Sequence, residues 1–260
     1  MKKTIYLIAG VLLLFSCKKE STEPSTNNNN STNTTCVDNP NINFNSIGTP
    51  IGKIGDCIKD VEGNTYKTVI IGSQTWMAEN LKTSKYNDGT LISNDTNDKL
   101  WEINTSGSWR YYLNDSTNNK TYGKWYNWYA ISPTTNGNKN VCPTGWHVPT
   151  NTEWTILIDY LGGDTIAGFK MKEISNKHWK YSGNNATNSS LFSVLPGGYI
   201  SYNGLETYIL SWGYLWSSTK LDSEKAWNIN FTGYNGDKIG YALKSYYDMN
   251  TGCNIRCLKD

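Results

Sequence analysis

The sequence predicts an α+β domain with a core built mainly from aromatic rings. Hydrophobic residues make up 37% of the 260 residues, yet aromatic residues reach 13%, with 11 Trp and 18 Tyr. Helical signals occupy the middle of the chain, and short strand-like segments gather after residue 163. Such segregation is typical of α+β proteins. A chain of this length can bury a substantial core, and no solenoid repeat is present.

Residues 1–16 have the features of a lipoprotein signal peptide. Lys2 and Lys3 precede an apolar run over 5–15, which is shorter than the roughly 20 residues that span a bilayer. The sequence Leu14-Phe15-Ser16-Cys17 resembles a bacterial lipobox, which implies that Cys17 carries lipid. The alternative is an ordinary signal peptide with Cys17 near the cleavage point. We expect a lipid-anchored protein of the bacterial cell envelope, at the outer membrane.

Residues 17–54 are expected to form a tether between the lipid and a folded domain over 55–260. The stretch 18–35 lacks aromatic and aliphatic core-forming residues, so it cannot bury enough surface to offset its ordering entropy. Lys18, Lys19 and Glu20 do not form an acidic export signal, which leaves periplasmic and surface-exposed display both open.

The charge balance and the cysteines exclude some classes of function. Removing residues 1–16, which contain Lys2 and Lys3 and no acid, leaves 22 basic and 22 acidic residues. A neutral chain lacks the basic excess that nucleic-acid binding needs. Six cysteines without a CxxC pair, and only two histidines, argue against a metal site. No cofactor is expected.

The first elements are strands followed by a long polar region. The β-branched run Thr65–Ile71 predicts a strand, and Gln74–Leu81 continues as an extended or mixed segment. From Leu91 to Asn119 the chain is rich in Asn, Asp, Ser and Thr, which predicts a long loop with aromatic anchors.

Two helices are predicted in the middle of the chain. Aromatic residues at i, i+3, i+4 and i+7 predict a helix over Tyr122–Ile131, although a strand is an alternative because aromatics favour both. Thr150 and Glu153 form a capping-box pattern before an apolar helical face, and Gly162-Gly163 ends that second helix. Short strands are then predicted at 191–195, 214–218, 226–231, 239–243 and 254–258.

Several ordered motifs resemble the Fibrobacter succinogenes major paralogous domain over about residues 57–260. They are GSQTWMAENL from Gly72, YGKWYNWYA from Tyr122, CPTGWHVP from Cys142, LPGGY from Leu195, WSST from Trp216 and IRCLKD from Ile255. The resemblance implies a fold similar to C-type lectin-like and formylglycine-generating-enzyme-like domains, and the family has no established activity. A disulfide between Cys142 and Cys257 is also implied, with Cys253 as a rival partner. Cys36 with Cys57 is a plausible second bridge.

No catalytic constellation is recognisable in the sequence. His147 could act as a general base or ligand, but its position in a turn before a helix favours a structural role. His178 has no acid at a useful spacing. True C-type lectins bind calcium through a Trp-Asn-Asp motif, whereas Trp227-Asn228 is followed here by Ile229, so that site is not carried over.

Four aromatic residues with polar neighbours are candidates for ligand binding by stacking: Trp101, Trp109, Tyr112 and Trp179. The alternative is that these rings fix loops to the core. We therefore expect an envelope lipoprotein with a non-catalytic binding or adhesion module for a glycan or a surface protein, of unknown oligomeric state. The alternatives are an envelope enzyme acting on polysaccharide through carboxylates assembled by the fold, and a structural component of a surface assembly.

Overall fold

The computed structural model describes residues 50–174, 177–180, 186–232 and 241–260. Its strands are β1 (Lys53–Ile54), β2 (Ile58–Lys59), β3 (Thr65–Tyr66), β4 (Thr68–Ile71), β5 (Gln74–Met77), β6 (Ser93–Asn94), β7 (Ser108–Tyr111), β8 (Lys124–Tyr126), β9 (Trp146–His147), β10 (Tyr199–Ile200), β11 (Glu206–Thr207), β12 (Gly213–Lys220), β13 (Lys225–Phe231), β14 (Ala242–Asp248) and β15 (Leu258–Lys259). Its helices are α1 (Asp98–Ile103), α2 (Asn119–Tyr122), α3 (Pro133–Asn136), α4 (Asn151–Tyr160) and α5 (Ala167–Met171). Few helices and several small, mostly antiparallel sheets confirm the α+β class.

Two sheets organise the described part of the chain. The five-stranded sheet has the order β1-β4-β5-β15-β9, so the last strand lies between β5 and β9. Leu258 on β15 pairs with Trp76 on one side and with His147 on the other. The second sheet is antiparallel, in the order β12-β13-β14. These pairings tie the carboxyl end to the middle and to the start of the domain.

The predicted helix after Thr150 is confirmed as α4. The Thr150 side chain accepts from the Glu153 N–H, and the Glu153 carboxylate accepts from the Thr150 N–H, so both halves of the capping box are present. Trp154, Leu157 and Ile158 are buried against the sheets. The helix ends before Gly162, whose φ of 104° favours glycine.

The predicted helix over Tyr122–Ile131 is wrong. The chain instead ends α2 at Tyr122, passes through Gly123 and forms β8 before a 3₁₀ turn over Trp128–Ala130. Gly123 has φ 68° and ψ −152°, which is not helical, and a Cβ there would lie 2.6 Å from the Leu81 carbonyl oxygen. The aromatic spacing is compatible with a helix or with a strand, and the pairing of β8 with β7 stabilises the strand.

The predicted late strands are confirmed in part. Segments 214–218 and 226–231 lie within β12 and β13, whereas 239–243 overlaps the described β14 only at its end. Segment 191–195 is irregular, because Leu191 and Ser193 adopt positive φ angles of 61° and 54°. Only the last residue of 254–258 belongs to a strand. The long loop over 91–119 contains β6, α1 and β7.

Tryptophan indoles connect segments that are far apart in the sequence. The Trp216 Nε1 donates to the Tyr126 carbonyl at 2.8 Å, and the Trp128 Nε1 donates to the Ser217 carbonyl at 2.9 Å. Residues 126–128 and residues 216–217 are thus joined by two hydrogen bonds, and each region supplies one indole donor and one carbonyl acceptor. A buried indole fills volume while it satisfies a backbone carbonyl that irregular structure leaves unpaired.

The end of the chain is fixed by a disulfide and by a buried arginine. Cys142 and Cys257 form a disulfide, the pairing that the family resemblance implied. Arg256 donates from Nε to the Asn80 side chain at 2.9 Å and from its two terminal nitrogens to the backbone carbonyls of Phe192 and Ser193.

Cys253 is a free, buried thiol. Cys57 is disulfide-bonded, and Cys36, its expected partner, lies outside the described residues.

None of the helices in the described ranges is long and apolar enough to cross a bilayer. Cys17 and residues 1–49, with the expected signal peptide and tether, lie outside the described residues.

Replacing both Cys142 and Cys257 with Ala is expected to lower the free energy of unfolding by about 2–4 kcal/mol. The bridge closes a loop with a sequence separation of 115 residues, so its loss increases the entropy of the unfolded chain. Urea unfolding measures the change. Cys253→Ala is the matched control and should cost less; equal losses would contradict a stabilising role of the bridge.

Candidate functional site

The four aromatic residues that are candidates for stacking on a ligand are buried in the structure. Their exposed fractions are 1% for Trp101, 6% for Trp109, 3% for Tyr112 and 4% for Trp179. Polar neighbours in the sequence do not determine burial, because the loops fold back over their own rings.

Specific contacts hold two of these rings in the interior. The Trp101 Nε1 donates to the Asn250 carbonyl at 2.6 Å, and the guanidinium of Arg110 lies 5.0 Å from the ring centroid. The Trp109 Nε1 donates to the Ile92 carbonyl at 3.0 Å, while the Lys124 amine lies 4.5 Å from its ring. Both rings fix loops to the core.

The other two rings are held by packing. Tyr112 stacks on Tyr122 with ring centroids 4.1 Å apart. The Lys172 amine lies 5.2 Å from the Trp179 ring centroid. All four residues therefore serve the alternative role, that of loop anchors.

A different group of rings lies at the surface, and we call it the surface aromatic cluster: Tyr199, Tyr208, Trp212, Tyr214 and Tyr247. Tyr199 lies at its centre, with its ring centroid 4.8 Å from that of Tyr214, 5.2 Å from that of Tyr247 and 6.1 Å from that of Tyr208. Tyr208 also packs on Trp212 at 5.4 Å. Tyr214 is 1% exposed, Tyr208 is 47% exposed, and the remaining three rings are half-buried. A buried base thus supports a partly exposed aromatic surface.

Four strands and the residues beside them bring the cluster together. Tyr199 lies on β10, Tyr208 follows β11, Trp212 directly precedes β12, Tyr214 lies on β12, and Tyr247 lies on β14. Gly198 makes the close approach possible: its φ is 60°, and a Cβ there would lie 2.4 Å from the Thr207 carbonyl oxygen. The Gly198 N–H donates to the Trp212 carbonyl at 2.7 Å, which fixes the hairpin beside β12.

The phenol groups of Tyr199, Tyr214 and Tyr247 remain neutral at physiological pH. Burial raises the pKa of Tyr214 far above its ordinary value, with the neighbouring tyrosines as further causes. Burial likewise raises the pKa of Tyr247 to about 12 and raises the pKa of Tyr199. These three side chains can therefore donate and accept hydrogen bonds, but they do not supply phenolate.

Two asparagines extend the same sheet face beneath the cluster. Asn230 pairs with Tyr214, and Asn228 pairs with Trp216, in the register of β13 with β12. Asn228 is completely buried, and within the part of the chain that the structure describes neither polar atom of its amide has a hydrogen-bond partner, nor does the Oδ1 of Asn230. Because an unsatisfied buried polar group costs about 1–3 kcal/mol, such groups are normally completed by water or another ligand.

Sequence reasoning missed this cluster. Two features of the sequence could have indicated it. Side chains alternate along β12, which places Tyr214 and Trp216 on one face of the strand. In addition, Tyr208, Trp212 and Tyr214 lie close together in the sequence. The contributions of Tyr199 and Tyr247 have no local signal, because they depend on long-range pairing.

His147 has the structural role that its turn position favoured. Its Nδ1 lies 2.6 Å from the Asp260 carboxylate and its Nε2 lies 3.0 Å from the Glu153 carboxylate. Burial alone would lower the pKa of His147, but hydrogen bonds and charge interactions with these two carboxylates outweigh it and raise that pKa. Both ring nitrogens are thus engaged, which leaves neither to bind a metal or accept a substrate proton.

The second histidine and the free cysteine were also considered as reactive groups. The His178 Nδ1 lies 2.9 Å from Glu173, so the sequence expectation that His178 lacks a nearby acid is wrong. Within the described ranges, no group of three His, Cys, Asp or Glu side chains is placed to hold a metal ion. Burial raises the pKa of the Cys253 thiol well above its ordinary value, which keeps it protonated and unreactive.

One surface depression contains two carboxylates. It lies between α4 and β14, where Asp159 and Asp164 line it together with Lys244. Both acidic side chains are exposed.

These features define a disulfide-linked α+β domain whose candidate contact site is a surface aromatic cluster. The family model described as the Fibrobacter succinogenes major domain matches residues 69–259, and the chain belongs to this family. No curated protein and no solved structure was found to match the chain.

His147→Gln is expected to reduce stability more at about pH 5.5 than at about pH 8.5. Because folding raises the pKa of His147, its contribution is full below the unfolded pKa of about 6.5 and is lost as the pH rises through the folded pKa. His147 and its two carboxylate partners are partly exposed, so their interaction should contribute no more than about 1 kcal/mol to the free energy of unfolding.

Urea unfolding of the wild type and the variant at both pH values measures this difference. Asp260→Asn removes one of the two negative charges beside the His147 ring and should reduce the pH dependence while His147 is retained. An equal loss of stability at the two pH values would contradict the raised pKa of His147.

Proposed function

We propose that the protein is a cell-envelope lipoprotein that presents a non-catalytic binding module, anchored at the outer membrane through a lipid on Cys17. The surface aromatic cluster is the contact site. Its ligand is a glycan or a surface protein, and glycan is the class that the cluster suits best. The partly exposed rings around buried Tyr214 are the observation on which this proposal depends.

Ring geometry supports a glycan ligand. The apolar face of a sugar ring packs on flat aromatic side chains, which offer large contact area at little cost in side-chain entropy. Tyr208 presents almost half of its surface, and Trp212 and Tyr199 adjoin it within 5.4 and 6.1 Å. Phenol hydroxyls both donate and accept hydrogen bonds and can therefore bond sugar hydroxyls at the same surface.

The chemistry of the cluster supports binding without catalysis. Its members are phenols and an indole, and the pKa values of Tyr199, Tyr214 and Tyr247 are all raised by burial. General acid–base catalysis works best with a group whose pKa lies near the operating pH. The cluster offers contact area and hydrogen bonds rather than proton transfer.

The proposal includes the lectin-like architecture that the family resemblance implies. The α+β class and the disulfide between Cys142 and Cys257 are compatible with that architecture. An experimental structure, superposed on C-type lectin-like and formylglycine-generating-enzyme-like domains, tests it. A different strand connectivity would reject the lectin-like part and leave the aromatic contact site to its own test.

Tyr208→Ala is expected to weaken glycan binding by about threefold to tenfold, because it removes a ring contact worth roughly 0.7–1.4 kcal/mol. The test is a glycan array, followed by titration of the oligosaccharides retained by the wild type. Tyr208→Phe keeps the ring and should retain most of the affinity.

Tyr160→Ala is the matched control, since Tyr160 is a similarly exposed tyrosine on α4. Equal losses in the Tyr208 and Tyr160 variants would contradict the cluster as the contact site. If no glycan is retained but an envelope protein is captured in a Tyr208-dependent manner, the ligand is a surface protein.

Cys17→Ser is expected to abolish lipid attachment and to release the protein from the membrane fraction. In the proposed anchor the Cys17 sulfur carries the lipid, and several acyl chains would otherwise hold the protein on the bilayer. Metabolic labelling with a fatty-acid analogue and membrane fractionation measure both effects. Cys253→Ala is the control, and labelling that persists in the Cys17 variant would contradict the anchor.

A further inference from the structure

A row of polar side chains lies on the sheet face that carries Tyr214 and Tyr247. Side chains alternate along a strand, and paired residues of neighbouring strands share a face. Asn230 on β13 pairs with Tyr214 on β12. Asn228 pairs with Ser245 on β14, and Ser245 is two residues from Tyr247. The polar row therefore lies next to rings of the surface aromatic cluster.

The rings of Tyr214 and Tyr247 meet over Asn228. Tyr214 is level with Asn230, two residues to one side of Asn228. Tyr247 is level with Ala226, two residues to the other side. Strands β12 and β14 are separated by two strand spacings, roughly 9.5 Å, yet the two ring centroids are only 5.9 Å apart, so the rings lean toward each other across β13. Asn228 lies beneath their contact, which accounts for its complete burial.

Three polar atoms of the row have no hydrogen-bond partner among the described residues. They are the Nδ2 and Oδ1 of Asn228 and the Oδ1 of Asn230. Asn228 is 0% exposed and Asn230 is 6% exposed, so bulk solvent does not complete them. An amide nitrogen donates and an amide oxygen accepts. The row therefore needs a group that can both donate and accept hydrogen bonds.

Buried asparagines elsewhere in the domain are paired within the chain. The Nδ2 of Asn254 donates to the carbonyls of Tyr122 and Lys124 at 3.1 and 2.9 Å. The Oδ1 of Asn127 accepts from the Ser108 N–H at 2.9 Å. The missing partners are thus a feature of the face beneath the cluster and not of buried amides in general.

The chemistry of the row favours a neutral hydroxyl group. A hydroxyl donates and accepts, whereas an ammonium group only donates and a carboxylate only accepts. A charged group would also need a countercharge when it is buried. The charged residues of β13 and β14 are Lys225, Lys244 and Asp248, and strand alternation places all three on the opposite face of the sheet.

The side chains between the amides and solvent are only half-buried. Ser245 lies directly across from Asn228, and Tyr199 and Tyr247 pack together at 5.2 Å. All three are partly exposed. Rotamer changes of such side chains are common when a ligand binds. A hydroxyl group can therefore reach the amides from the aromatic surface.

We propose that Asn228 and Asn230 form the polar floor of the binding site and select a neutral glycan by hydrogen-bonding its hydroxyl groups. This inference rests on the proposed function and names the ligand class within it, namely neutral sugars rather than uronic acids or amino sugars. The rings of the cluster supply stacking, and the two amides supply selectivity. A ligand without a suitable hydroxyl leaves buried polar atoms unpaired and is rejected for that reason.

Nitrogen-15 NMR of the full chain with Cys17→Ser tests the proposal through the side-chain amide signals of Asn228 and Asn230. The probes are the methyl glycosides of glucose, galactose and mannose, each compared with its uronic acid and its 2-amino form. We expect at least one neutral sugar to shift both signals and to bind about tenfold or more tightly than its charged forms. The Asn254 amide signal is the internal control and should not move.

Asn228→Ala should raise the dissociation constant of that neutral sugar about tenfold, because two hydrogen bonds to the hydroxyl are lost. Its midpoint of thermal unfolding should fall less than that of Asn254→Ala, the matched control. Both substitutions truncate a buried asparagine, but only Asn254 donates to two carbonyls of the chain. Asn230→Ala is a second variant and should weaken binding about threefold, since it removes one acceptor.

Four results separate this inference from the proposed function. Binding that is lost in Tyr208→Ala but unchanged in both asparagine variants would overturn the polar floor and retain the cluster. Binding that is lost in the asparagine variants but unchanged in Tyr208→Ala would retain the floor and reject Tyr208 as the contact ring. Neutral sugars that shift neither amide signal, or charged forms that bind equally well, would mean that the amides hold water only and would overturn the inference. An Asn228→Ala variant as unstable as Asn254→Ala would overturn it as well, because the amide would then have a structural role.

Discussion

The structure depends on buried indoles that donate hydrogen bonds to backbone carbonyls of distant segments. A core of aliphatic residues would leave the carbonyls of so many irregular segments without partners. Trp128 and Trp216 show how this is avoided, because each indole bonds the backbone beside the other region. One type of side chain thereby supplies both the apolar volume and the polar satisfaction of the interior.

The carboxyl end is held by three further interactions. The segment 253–259 passes between elements from both halves of the domain, where Arg256, the disulfide at Cys257 and the pairing of Leu258 each fix it. Arg256 is buried with its charge, which is tolerated because its guanidinium meets the Asn80 side chain and two backbone carbonyls. Interactions of this kind let short strands form a stable sheet without long helices.

The aromatic residues have two different roles, one in the core and one at the proposed contact site. Rings such as Trp101 and Trp109 are completely engaged with the protein's own backbone. The surface aromatic cluster differs because its buried member, Tyr214, supports rings that retain exposed area. The proposed site therefore uses the same kinds of side chain as the core, with the outer rings left partly exposed.

The sequence by itself determined the α+β class, helix α4 with its capping box, and strands β12 and β13, because these follow from local patterns within a few residues. It misassigned Tyr122–Ile131, where a positive φ at Gly123 and pairing with β7 overrode an aromatic spacing that suits two kinds of element. Only the tertiary structure decided which rings face solvent. Exposure of a ring such as Tyr208 depends on which residues from elsewhere in the chain pack against it, and the composition of its neighbours in the sequence does not determine that packing.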